Sequence, residues 1–261
     1  MVSPLSQIIP SELTPIRLIA TDMDGTLTVD GKFTPALLES LQKLATANIT
    51  VLIVTGRSAG WVNGIVSYLP IVGAIAENGC LFYPQAESAP VMLVETPDIE
   101  KHRQNLAIAF QALKSKFPGI EESTDNRFRI CDWTFDIGNL TIPDLQILES
   151  MCSDMGWGFT YSSVQCHIKP PAQDKAKALL QVLKQYFPQY SPRELVTVGD
   201  SPNDESLFNP DKFPISVGVA NISEYTNQLK YQPKYITNNL EGKGFCELTQ
   251  SIISTTYKDK I

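Results

Sequence analysis

Two aspartates separated by one residue, Asp22 and Asp24, end an apolar run and are followed at once by Gly25 and Thr26. The run Ile16–Thr21 is rich in branched aliphatics and bounded by Pro15, which predicts a strand buried on both faces. Two acids at the end of such a strand are costly unless a positive charge sits between them. Oxygen-rich clusters of this kind suit a hard cation such as Mg2+. An Asp-Gly turn that only closes a strand is the plainer alternative, and the later chain decides between them. Three more places end or begin an element with a chemically specific group: Thr55-Gly56-Arg57, Lys175, and Asp200-Ser201-Pro202-Asn203-Asp204. In open parallel sheets the carboxyl ends of the strands form the ligand crevice, so Asp22, Asp24, Thr55, Asp200 and Asp204 are expected to share one edge. Lys175 opens a helix, where the macrodipole disfavours a cation. It is either a solvated surface lysine or the fourth part of this converging group, as its awkward placement just after the insertion suggests.

The elements that position these groups follow from periodicity and punctuation. Thr34 and Pro35 predict the start of a helix with Leu37, Leu38, Leu41 and Leu44 as its apolar stripe. Ile49–Val54 and Ile71–Ala76 read as buried strands flanking a helix over 59–68. Strand and helix alternate with short loops, which predicts an α/β fold: a doubly wound parallel sheet with right-handed crossovers. The rhythm changes over 81–170. A strand at 91–94, a helix over 98–117, a strand-like run over 127–137, a helix over 143–155 and a strand over 158–168 suggest an inserted α+β domain. The first rhythm resumes with a helix over 175–187, strands at 195–198, 215–219 and 235–236, and a helix over 244–255. The sheet is therefore expected to have roughly six strands, formed by residues 1–80 and 171–261, with 81–170 inserted.

Composition narrows the class. The chain has 261 residues and a net charge of −7, with 28 acidic residues against 21 basic ones. That balance argues against a nucleic-acid binder and offers no basic face to an anionic membrane. The five cysteines, at 80, 131, 152, 166 and 246, have no C-x-x-C pair. An odd number without framework spacing predicts reduced thiols in a reducing compartment. No signal peptide and no bilayer-spanning run is read, so the expected location is cytoplasmic. The Asn-x-Ser/Thr triplets at Asn48, Asn139 and Asn221 then carry no weight. Two histidines poorly supply a His-rich metal site or a serine–histidine triad. Neither a P-loop nor a G-x-G-x-x-G string occurs.

Taken together, DMDGTLT at 22–28, VTGR at 54–57, Lys175 in DKAKALL and GDSPND at 199–204 resemble the haloacid dehalogenase-like (HAD) phosphohydrolase superfamily. The large insertion between the second and third motifs, with AENG at 76–79 before it, resembles the Cof-like and sucrose-phosphatase-like branch. The resemblance implies a Rossmann-like core with an inserted cap, and a Mg2+-dependent phosphatase acting on a small phosphorylated metabolite. Asp22 would be the nucleophile that forms an aspartyl-phosphate, and Asp24 the acid and then the base. Thr55 and Lys175 would bind the phosphoryl oxygens. Mg2+ would be held by the Asp22 side chain, the Asp24 carbonyl and the Asp200 side chain. Asp204 would either join them or orient Lys175. Asn203, with Ser201 and Gly56, would line the phosphate site, and Asn78 would be a substrate contact or a turn residue.

The cap would read the leaving group. Arg127 and Arg129, with His167 and Lys169, are candidate contacts for an anionic substrate such as a sugar phosphate or phospho-acid. Alternatively, the alternation Arg-Phe-Arg-Ile is a strand with one wet face, and His167 a strand residue. Arg57 reads as an ion-pair partner near the rim. Capping of the following helix is the plainer role for Asp200 and Asp204, although Asn203 or Ser201 could serve for that. Competing functions are a phosphotransferase or phosphomutase using the same aspartyl-phosphate, and a non-enzymatic receiver-like phosphorylation switch. The latter needs no insertion of about ninety residues. The expected assembly is a monomer or small homo-oligomer.

Overall fold

The computed structural model describes residues 2–85 and 89–258. In chain order the first elements are β1 (Ser3–Pro4), α1 (Pro10–Leu13), β2 (Leu18–Thr21), α2 (Pro35–Thr46), β3 (Thr50–Val54), α3 (Ala59–Tyr68) and β4 (Gly73–Ala76). There follow β5 (Leu81–Pro84), β6 (Val91–Met92), α4 (Ile99–Lys116), β7 (Trp133–Asp136), α5 (Ile142–Asp154), β8 (Gly158–Tyr161) and β9 (Gln165–Lys169). The chain closes with α6 (Lys175–Tyr186), β10 (Leu195–Gly199), β11 (Ser216–Gly218), β12 (Tyr235–Ile236) and α7 (Glu241–Lys258). Thr34 caps α2 by accepting from Leu37 N, and Pro35 occupies its first turn. Helix α6 is capped by Asp174, which accepts from Lys177 N.

The main sheet runs β1-β12-β11-β10-β2-β3-β4-β5-β6. It is parallel from β1 to β4, and β5 and β6 run antiparallel to their neighbours. Strand β2, buried along its whole length, lies between β3 and β10. From it the chain winds one way through β3 and β4 and the other way through β10, β11 and β12, so the sheet's switch point is at β2 and β10. The two faces carry separate apolar layers. One holds Leu37, Leu41, Val62 and Phe245, the other Leu179, Val182 and Phe213.

A second, three-stranded antiparallel sheet, β7-β9-β8, packs with α4 and α5 around Phe110, Phe135, Leu148 and Ile168. The sequence reading and the structure differ in four respects. Among the described residues the main sheet has nine strands, because the two-residue β1 joins β12 at one edge and the β5–β6 hairpin adds two at the other. That hairpin places residues 81–84 and 91–92 in the main sheet, inside the stretch expected to be inserted. The run 127–137 is no single strand: Asn126–Phe128 is a 3-10 turn and only Trp133–Asp136 pairs. Finally, 158–168 is a hairpin, turning through Ser162–Val164 between β8 and β9.

Candidate active site

The end of β2 is bent by a loop whose carbonyl of Met23 accepts from Leu27 N at 2.8 Å and Thr28 N at 3.2 Å. Gly25 sits in it at φ +76°, and a Cβ there would lie 2.4 Å from Asp200 Oδ2. Only glycine fits that backbone and that approach. The loop brings Asp22 against Lys175, whose Nζ donates to Asp22 Oδ1 at 2.6 Å and to Asp204 Oδ1 at 2.7 Å. Lys175 is fully buried between these acids, which explains how a cation persists at a helix start. Burial opposes its charge, but Asp204 and Asp22 outweigh burial and raise its pKa above the ordinary lysine range.

Asp204 is occupied at both oxygens, since Oδ2 accepts from Asp200 N at 3.0 Å and Ser201 N at 3.3 Å. It anchors Lys175 and shapes the turn after β10. Asp200 accepts from Thr26 Oγ1 at 3.0 Å on one oxygen and from Asn221 Nδ2 at 3.0 Å on the other. Asn221 also donates to Gly25 O, so it braces both halves of the acid cluster. Sequence reading noted Asn221 only as a glycosylation triplet.

Asp22, Asp200 and Asp204 each present a carboxylate oxygen within 4.8 Å of the others. Against three buried acids stands one buried cation, Lys175. Burial and the Asp204 and Asp24 charges push the Asp22 carboxyl up to about 8 despite Lys175. Burial, Asp22 and Asp204 likewise raise Asp200 well above the carboxylate range. A cluster this short of positive charge, built of hard oxygen donors, fits a divalent cation such as Mg2+.

Asp24 faces the other way. Its two oxygens are clasped by Arg57 Nε and Nη2, each at 2.7 Å, and the Arg57 guanidinium lies 5.1 Å from the Trp61 ring centre. Thr55, at the end of β3, accepts from Arg57 N at 3.1 Å. Asn203 donates to Asn78 Oδ1 at 3.1 Å and accepts from Ser201 Oγ at 2.8 Å. Asn78 Nδ2 is buried with no partner, 3.3 Å from where a Gly56 Cβ would stand. A buried amide donor without an acceptor, beside Thr55 and Gly56, is a ready contact for an anionic oxygen.

The β8–β9 hairpin roofs this floor. Asp22, Asp24, Thr55, Gly56 and Arg57 share a cavity of about 20 Å3 with Ser162, Gln165 and His167, room for about one water. A larger chamber of about 590 Å3 opens beside it, lined by Lys175, Asn203 and Asn78 below and by Phe159, Tyr161 and Lys169 above.

The two arginines of the insertion part company. Arg127 is exposed, stacks on the Phe128 ring at 4.8 Å, and lines neither cavity; the structure does not bring it to the site. Arg129 is buried in ion pairs with Asp125 and Asp132 and donates to Gly56 O at 2.9 Å. It is spent on joining the insertion to the loop that follows β3. His167 Nδ1 donates to Asp132 Oδ2 at 2.8 Å. Burial opposes the Asp132 charge, but Arg129 and His167 outweigh it and hold the carboxyl at about 2.

Glu77 is the residue that sequence reading missed. Fully buried at the end of β4, its carboxylate accepts from Ala59 N at 2.9 Å, Ile130 N at 3.0 Å, Cys131 N at 2.7 Å and Asp132 N at 3.3 Å. It grips the insertion from the core. Burial and Asp132 push its pKa up to about 7. Beside it, Cys80 and Cys131 are joined as a disulfide, which corrects the expectation that all five thiols are reduced. Cysteines 51 residues apart meet because the insertion folds back on the strand that launches it.

Residues 19–113 match the family described as haloacid dehalogenase-like hydrolase. Over 245 residues the chain is 28% identical to phosphoglycolate phosphatase 1 of Saccharolobus solfataricus, covering 91% of this chain and 96% of that one. It is also 28% identical to the phosphoglycolate phosphatase of Sulfolobus acidocaldarius, covering 92% and 97%. Among solved structures it superposes on a Thermoplasma acidophilum protein with a TM-score of 0.72 at 22% identity, covering 91% and 98%. The C-terminal domain of C. albicans trehalose-6-phosphate phosphatase gives a TM-score of 0.73 at 16% identity, covering 97% and 98%. These two likenesses bear out the α/β fold expected from the alternation of strands and helices.

Proposed function

We propose that this haloacid dehalogenase-like hydrolase is a Mg2+-dependent phosphatase, a phosphoric monoester hydrolase that releases phosphate from a small phosphorylated metabolite through an aspartyl-phosphate on Asp22. The observation that carries the reading is the contact of Lys175 with both Asp22 and Asp204, which joins three separated motifs in one buried cluster. The relatives named phosphoglycolate phosphatase support a small phosphorylated substrate.

The residues divide the work as follows. Lys175, Thr55, Asn203 and the free amide of Asn78 take the phosphoryl oxygens and hold the phosphorus in line with Asp22. Lys175 keeps its grip on Asp22 Oδ1, which orients the carboxylate and favours its charged, nucleophilic form. Asp22 attacks phosphorus as the bond to the leaving oxygen breaks, and Asp24 gives that oxygen its proton. Arg57 must release one Asp24 oxygen for this. Asp24 then takes a proton from water, which attacks the aspartyl-phosphate, regenerates Asp22 and frees phosphate. The hairpin over Asp22 excludes bulk water, so the insertion must open to admit substrate and close for chemistry. The side chains of Asp22 and Asp200 and the main-chain carbonyl of Asp24 would hold Mg2+, which neutralises charge on the phosphoryl oxygens when bound. Asp204 serves as the anchor of Lys175.

Phosphate release from a panel of phosphorylated metabolites tests this. Release is expected with Mg2+, absent with EDTA, and at least about a thousandfold slower in Asp22→Asn. Undiminished release by Asp22→Asn overturns the reading.

A further inference from the structure

The second half of the proposed reaction needs a water held in line with the aspartyl-phosphate, and Asp24 accounts for only one of its two hydrogens. Water must reach phosphorus from the side opposite Asp22, which is the cavity of about 20 Å3 beneath the β8–β9 hairpin. A water lodged there needs about two to four polar partners. The floor offers Asp24, and the roof offers three polar side chains, Ser162, Gln165 and His167.

As acceptors, two of the three are already engaged. Ser162 Oγ accepts from Val164 N and Gln165 N, each at 3.2 Å, and Gln165 Oε1 accepts from Arg129 Nη2 at 3.0 Å. His167 is different. It is buried, and its Nδ1 donates to Asp132, which leaves Nε2 with no hydrogen-bond partner among the described residues. That edge of the ring rests on the loop after β3, since a Cβ on Gly56 would lie 3.2 Å from Nε2. Arg129 Nη1 donates to both oxygens of Asp132, at 3.0 Å and 3.2 Å. Asp132 therefore stays ionised and keeps the imidazole proton on Nδ1. Burial lowers the His167 pKa, and Arg129 and Lys175 lower it further against the pull of Asp132. The ring is neutral, with its lone pair at Nε2. Such a nitrogen repels an anionic oxygen and accepts from an O–H, so it is unsuited to a substrate anion and suited to water.

We propose that His167 is a further catalytic residue, whose Nε2 accepts one O–H of the attacking water while Asp24 takes the proton of the other. The water oxygen bonds to phosphorus as the bond from phosphorus to Asp22 breaks, and that bond's electron pair returns to the Asp22 carboxylate. Asp24 keeps the proton and His167 gains none. The role rests on the phosphatase reading above and lies in its dephosphorylation step alone, because the leaving oxygen of the first step carries no hydrogen for Nε2 to accept.

The test uses 32P-labelled p-nitrophenyl phosphate, for which kcat/KM reports formation of the aspartyl-phosphate and kcat reports its hydrolysis as well. His167→Ala is expected to slow that hydrolysis roughly ten- to a hundredfold, the worth of one hydrogen bond to a reacting water. Then kcat and KM fall together, kcat/KM stays within about twofold, and the share of enzyme carrying label at steady state rises. His167→Gln, whose Oε1 can accept in place of Nε2, is expected to recover much of kcat and to lower the label again. KM does not depend on the folded fraction, so a poorly folded preparation does not imitate this pattern. An unchanged or raised KM in His167→Ala, with no gain in steady-state label, overturns the role of His167 and leaves the hydrolase reading intact. A wild type that neither takes label nor releases phosphate overturns both.

Discussion

Asp22 is pushed up to about 8 from an ordinary 3.8, so between those values the folded chain keeps a proton that the unfolded chain has lost. Stability from that proton is complete below about pH 4 and is lost as the pH rises toward about 8. Asp200 and Glu77 are displaced in the same direction, and they add to the slope. The Tm of the metal-free protein is therefore expected to fall from about pH 5 to about pH 8. Mg2+ should restore more of it at the upper end, where the acids are ready to ionise. Thermal melts with and without Mg2+ across this window check it, and a Tm that climbs with pH in EDTA counts against the cluster as drawn. At this scale much was legible. Asp22, Asp24, Thr55, Lys175 and Asp200 each stand at an element's end, and strand ends converge in a doubly wound sheet. Glu77 was not legible, because its four partners are backbone N–H groups, three of them more than fifty residues away. Backbone carries no side-chain signature in a sequence.

Elements explain where the reading of the insertion failed. The alternation Arg127-Phe128-Arg129-Ile130 looks like a half-wet strand, but the buried partner of Arg129 is Asp132, three residues on. That local pairing folds the segment as a turn and leaves Glu77 to receive its N–H groups. Helix bounds were easier, because Thr34, Asp98 and Asp174 are caps with side-chain acceptors. Strand β6 was misplaced because a two-residue strand carries almost no periodicity. If the 130–132 segment is held by Glu77, Glu77→Gln should cost about 1–3 kcal/mol, since a carboxylate acceptor is replaced by a weaker one. Hydrogen exchange should show faster exchange at Ile130, Cys131 and Asp132 ahead of the main sheet. Unchanged protection at these three amides would contradict the role given to Glu77.

Among the described residues the molecule is a nine-stranded sheet with a smaller antiparallel sheet folded over the edge that holds the acid cluster, tied there by several contacts. These are Glu77, the Arg129–Gly56 hydrogen bond, and the Cys80–Cys131 disulfide. The disulfide closes a 51-residue separation, worth about 4 kcal/mol in the chain-entropy picture. Unfolding without reductant should expose three thiols, Cys152, Cys166 and Cys246, and unfolding with reductant all five. A count of five in both conditions removes this tie. Among the described residues no helix is long and apolar enough to cross a membrane. Three of the chain's acids, Asp22, Asp200 and Asp204, meet in one buried cluster.

The central claim is that Asp22 attacks phosphorus, and trapping the product of that attack tests it most directly. With 32P-labelled p-nitrophenyl phosphate, whose leaving group needs little help from an acid, Asp24→Asn should form the aspartyl-phosphate but hydrolyse it slowly. Rapid acid quench and peptide mapping are expected to find an alkali-labile label on the peptide holding Asp22. Label on any other residue, or none from an enzyme whose wild type turns the ester over, would contradict the account.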